Sequence, residues 1–195
     1  MRERLKELLK ISNYKTPQGI SARFANTVHL VDSDKSVCGT NGVIALFDRQ
    51  LYGEAKATAQ VMELGSAFTA TDEGYNKGTP IGVEHVVPKS LEGYVKAEKV
   101  SIPAWVGGLK VHAKEPVMRV AVIDGEATFE TTLAKKRPGL YINLRYLALF
   151  GEGFDLYRKD NKSPVVLLPH GATLENAPWY ALVMPVSMTS EDDYA

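Results

Sequence analysis

The sequence predicts an α+β fold made of repeated units, each a short helix followed by antiparallel strands. Two observations predict it. Segments 1 to 52, 99 to 132 and 140 to 187 each open with apolar residues at helical spacing and continue with strand-like alternation. Turn-forming pairs then stand where the chain must reverse, at Asn41-Gly42, Asp124-Gly125 and Asp160-Asn161. The repeat is irregular in spacing and has no strict period.

Residues 1 to 10 read as an amphipathic helix, with Leu5, Leu8 and Leu9 on one face and Arg2, Arg4, Lys6 and Lys10 mainly elsewhere. From Gly19 the period changes to two. Ile20, Ala22 and Phe24 alternate with Ser21, Arg23 and Ala25, and a second strand runs Val28 to Val31. The Asp32-Ser33-Asp34 cluster turns the chain into Ser36-Val37-Cys38. Glu54 to Leu64 is helical by propensity, and the Gly- and Thr-rich stretch after it reads as loop or irregular strand.

A further helix is expected from Ile102-Pro103, where an early proline loses no hydrogen bond. It extends to Lys110 and Lys114, although Gly107-Gly108 weakens it by ~1 kcal/mol each relative to alanine. Val117 to Ile123 and Ala127 to Thr131 form a hairpin about Asp124-Gly125, and Lys135-Lys136-Arg137 is a compact basic cluster. Beyond Gly139, Tyr141 and Ile142 end a strand and Asn143 caps a short helix carrying Leu144, Leu147 and Ala148. Gly151 and Gly153 stop that helix. Strands then begin at Phe154, return at Val165 to Leu168, and close with Tyr180 to Val186.

Bulk properties narrow the function classes. The chain has 195 residues with 23 basic and 23 acidic side chains, so any nucleic-acid contact must come from local patches. The single Cys38 excludes an intramolecular disulfide and favours a reducing compartment. The amino-terminal MRERLKELLK lacks the apolar stretch of a signal peptide, and no run approaches the roughly 20 apolar residues of a membrane span. A soluble cytoplasmic protein is expected. Glu84-His85-Val86-Val87 looks like the histidine strand of a His-Asn-His metal nuclease, whose histidine activates water beside a divalent metal. No second ligand stands at a plausible spacing, so neither a metal nor another cofactor is expected.

Asn143-Leu144-Arg145-Tyr146, a hairpin, and a terminal Leu182-Val183-Met184-Pro185-Val186 follow one another in order. Together they resemble the last half-domain of the bacterial DNA polymerase III beta sliding clamps. Those clamps carry an Asn-x-x-Tyr at the start of that helix and end in a Val-Met-Pro-like strand. Thr40, Gly42 and Ala45 match a second clamp strand, while Asn41 replaces its acid and Val43-Ile44 its His-Arg pair. The likeness covers about three-quarters of the chain, omitting 53 to 97 and the tail.

It implies a DNA-clamp fold with sheets outside and helices inside. It also implies a clamp-like domain over 1–132 with an insertion at about 53–97, a half-domain over 133–188, and an acidic tail over 189–195. The expected protein is not an enzyme. It is a shortened processivity factor that self-associates, encircles duplex DNA and tethers a DNA polymerase or clamp-loader peptide. Thr40 and Gly42 would wall the peptide pocket, Asn143 and Tyr146 would hydrogen-bond in it, and Leu182, Met184, Pro185 and Val186 would floor it. Arg2, Arg4, Lys6, Lys10, Lys110, Lys114, Lys135, Lys136, Arg137 and Arg145 are the candidates for phosphate contacts. An alternative is a clamp-derived binding module, or decoy, that does not encircle DNA. The nuclease centred on His85 is the enzymatic alternative.

Overall fold

The computed structural model describes residues 2–15, 24–61, 67–71, 74–77, 83–106, 117–131 and 139–186. They fall into two compact units, residues 1–90 with 176–181, and 91–175 with 182–195. The boundary expected from the sequence stands at 132.

In the first unit, α1 (Arg2–Ser12) precedes β1 (Thr27–Val31), β2 (Ser36–Thr40) and β3 (Ile44–Asp48), which α2 (Tyr52–Val61), β4 (Ala67–Thr71) and β5 (Gly74–Lys77) follow. The strand order is β5-β4-β1-β2-β3. Every residue of β1 and β2 is buried, so both faces of these strands are covered. Leu8 of α1 joins Val28, Leu30, Val37, Leu51 and Ala55 in one core cluster. The helix can come this close because β2 has a glycine beneath it: a Cβ on Gly39 would collide with the Leu8 carbonyl.

Two expectations change here. The Gly- and Thr-rich segment supplies real strands, since β4 pairs with β1 at Thr27↔Thr69 and β5 pairs with β4. Of the strand expected from Ile20 to Ala25, residues 20–23 lie outside the described residues. Residues 24–26 form a turn, closed by Thr27 N–H donating to the Phe24 carbonyl at 3.0 Å.

In the second unit, β6 (Val95–Ala97) and β7 (Lys99–Val100) precede the hairpin of β8 (Val117–Ile123) and β9 (Glu126–Thr131). Then come β10 (Leu140–Asn143), α3 (Leu144–Ala148), β11 (Phe154–Arg158), β12 (Val165–Pro169) and β13 (Trp179–Val183), whose first three residues belong to the first unit. One sheet has the order β10-β8-β9-β7, and β11 pairs with both β12 and β6. Asp124 and Gly125 have φ of 49° and 75°, the left-handed pair that a tight hairpin requires. Of the helix expected from Ile102, the described residues form a 3-10 turn over Ala104–Val106, and residues 107–116, with Lys110 and Lys114, lie outside the described residues. His85 also lies in a 3-10 turn, Val83–Val86, and not in a strand. No described helix is long and apolar enough to cross a membrane.

Candidate functional site

Thr40, Asn41 and Gly42 build a loop that satisfies itself. The Thr40 hydroxyl donates to the Ile44 carbonyl at 2.7 Å and accepts from the Gly42 N–H at 3.1 Å. Asn41 Oδ1 accepts from the N–H groups of Val43 and Ile44, at 3.0 and 2.9 Å. The residue that replaces the clamp acid therefore performs a local turn function, open to either side chain. Gly42 is needed for its φ of 93°, and a Cβ there would press on the Phe24 ring. It is exposed, with Val43 half-buried beside it.

The other expected pocket residues belong to the second unit. Asn143 is the N-cap of α3: its Oδ1 accepts from the Arg145 N–H at 3.0 Å. Its Nδ2 is buried and has no hydrogen-bond partner among the described residues. Tyr146 and Leu182 are buried, so Leu182 is core, not an open pocket floor. Met184, Pro185 and Val186 are half-buried and continue β13 without strand pairing. Val186 N–H donates to the Tyr141 carbonyl at 2.8 Å, which lays this apolar segment alongside β10 where it leads into α3. In the second unit the structure thus brings the Asn143–Tyr146 helix and the Met184-Pro185-Val186 segment onto neighbouring chain.

The basic candidates fare differently. Arg145 is only 8% exposed, because a five-residue helix with buried neighbours has no solvent face to give it. That corrects its assignment as a phosphate contact. Arg4 pairs with Asp48 at 3.3 Å, and Asp48 also accepts the N–H groups of Gln50 and Leu51 ahead of α2. Lys6 pairs with Glu3 at 2.9 Å and Lys10 with Glu7 at 3.5 Å. Such exposed pairs are weak and exchangeable. The Arg2 side chain, with Lys110, Lys114, Lys135, Lys136 and Arg137, lies outside the described residues.

A polar cluster that the sequence reading did not single out lies on the β11–β12 hairpin. Asp155, on β11, is 2% exposed. Its carboxylate accepts from His170 Nδ1 at 2.6 Å, from the Gly171 N–H at 3.2 Å, and pairs with Lys96 Nζ at 3.1 Å. Burial opposes its ionisation most, yet the bonds from His170, Lys96 and the Gly171 N–H outweigh that and hold the carboxyl below its usual range. Lys96 is held up as a cation, first by Glu98 at 2.9 Å and then by Asp155. The hairpin register builds this cluster. A hairpin turning about Asn161-Lys162 sets residue 153 opposite 170, which places Asp155 on the diagonal from His170. No group of three His, Cys, Asp or Glu residues among the described ones could hold a metal.

The arrangement of strands and helices has counterparts of known structure. A sliding clamp (DNA polymerase III subunit beta) from Bartonella birtlesii, bound to griselimycin, superposes with a TM-score of 0.52 at 12% identity. The alignment covers 95% of this chain and 65% of that clamp. DNA polymerase III subunit beta from Borrelia burgdorferi, in complex with a natural product, gives 0.50 at 12% identity over 95% of this chain and 62% of its own. The fold is that of the sliding clamps. The chain spans less than two thirds of the length of either clamp. No family model and no curated protein matches the sequence.

Proposed function

We propose that the chain is a non-enzymatic, clamp-like processivity factor of the cytoplasm that associates with duplex DNA and tethers a polymerase or clamp-loader peptide. The observation that carries this reading is the clamp fold over 95% of the chain. The half-buried Met184-Pro185-Val186 segment beside β10 supports it as an apolar platform for a peptide's Leu and Phe side chains. Methionine suits the task, because its unbranched thioether adapts to varied partners. Asn143 and Tyr146 are both buried, Asn143 as the cap that starts α3.

The test is fluorescence anisotropy with a labelled peptide bearing Leu and Phe. Saturable binding is expected, weakened about tenfold or more by Met184→Lys. Unchanged affinity in that variant sinks the peptide role. Encirclement of DNA needs self-association into a closed ring, so native mass spectrometry should find an oligomer. A strict monomer at high concentration ends the ring reading.

A second reading is a binding module that holds partners without encircling DNA. The structure motivates it: Arg145 is buried, and Arg4, Lys6 and Lys10 each have an acidic partner. Duplex binding that falls steeply with salt supports the processivity factor. Absence of such binding, with peptide affinity intact, supports the module.

A further inference from the structure

The second unit holds a cavity of ≈ 660 Å³ that nothing in the tethering reading uses. Ser101 and Gly153 line it, and so does His170, whose side chain is 53% exposed although Asp155 behind it is buried. His170 Nδ1 is bonded to the Asp155 carboxylate, so in the neutral form of the ring the lone pair stands on Nε2 and that nitrogen is a hydrogen-bond acceptor. Val100, Ile102 and Phe154 add apolar wall. Glu98, Glu126 and Glu152 line the same space against the single cation Lys99. Glu98 is engaged by Lys96, whereas Glu126 and Glu152 have no ion-pair partner among the described residues.

Acceptors, excess negative charge and an apolar wall together describe a ligand with an aliphatic stem and a cationic, hydrogen-donating head. We propose that this cavity receives an arginine or lysine side chain presented by a protein partner, with His170 accepting a hydrogen bond from its head and Glu126 and Glu152 supplying the countercharge. Asp155 is a positioning residue: it fixes the imidazole and does not touch the ligand. The site is independent of the Met184 platform and of any DNA contact.

Acetyl-arginine amide, titrated into the full-length chain at mildly alkaline pH and followed by amide NMR, tests it. Saturable shifts at Gly153, His170 and Gly171 are expected. The neutral isostere acetyl-citrulline amide should bind at least about fivefold more weakly, and the exposed double variant Glu126→Gln/Glu152→Gln should lose about as much. His170→Gln should weaken binding further, with an unchanged melting temperature in the double variant showing that the fold is intact. Equal binding of the citrulline probe, undiminished affinity in the double variant, or shifts confined to other residues would each overturn the proposal. Met184→Lys should leave arginine binding unaltered, which keeps this test separate from that of the tethering role.

Discussion

Asp34, in the turn between β1 and β2, and Asp155, on β11, are both carboxylates held by a cation, one in each unit, and they differ in what covers the partner. Asp34 takes Arg49 Nη2 at 2.6 Å and the Tyr180 hydroxyl at 2.9 Å. Arg49 spends Nη1 on the Ala177 carbonyl and lies 5.1 Å from the centre of the Tyr180 ring, which stacks on Phe47 at 4.6 Å. Burial, then the Asp34 charge, keeps the Tyr180 phenol protonated well beyond its ordinary range, so it remains a donor. Every part of that network is closed by another part. Asp155 is the more deeply buried of the two, but its partners His170 and Lys96 reach solvent and a cavity. A sealed network specifies structure; one with an open partner keeps capacity for a ligand.

The contrast can be broken by mutation, and the sealed side should give the larger effects. Arg49→Ala strands a buried carboxylate and should cost about 3 kcal/mol in urea unfolding. A loss below ~1 kcal/mol would mean that Asp34 is wetter than its surroundings indicate. Tyr180→Phe keeps the stack and removes one bond to a charged acceptor, for about 1.5 kcal/mol. Lys96→Ala should cost under ~1 kcal/mol, because His170 and the Gly171 N–H still hold Asp155 and Lys96 is partly solvated.

Asp155 sharpens the comparison through pH. Its folded-state carboxyl titrates below the unfolded value of about 4. Between those two values the native state binds fewer protons than the unfolded one, so stability rises with pH. The contribution is complete above about pH 4 and is lost as pH falls through the lowered folded value. Thermal melts of Asp155→Asn should therefore show a flatter acid limb than the wild type, and an unchanged limb would remove Asp155 from the acid response.

Local chemistry made much of this legible in advance. Asn143 as a cap, Asp124-Gly125 as a hairpin turn, and Asp160 bonded to the N–H groups of Lys162 and Ser163 are decided by nearest neighbours. What escaped was decided by distant chain. β4 is a regular strand because β1 offers it an edge, where the composition reads as loop or irregular strand. Arg145 is buried because α3 is only five residues long and covered, where helical spacing alone supplied an exposed side. Thr40 and Gly42 match the clamp pattern, yet their polar groups serve their own loop. The pairing of Asp155 with His170 needed the hairpin register, which spacing alone does not give.

Residues 176–181 belong with the first unit, although some 85 residues of the second are translated before them. Until they emerge from the ribosome, Arg49 lacks the Ala177 and Pro178 carbonyls it bonds, and Phe47 lacks its stacking ring. The first unit therefore waits, incomplete, for a segment translated after some 85 residues of the second. A chain truncated before residue 176 would leave Arg49 without both carbonyls, and Asp34 without the Tyr180 hydroxyl.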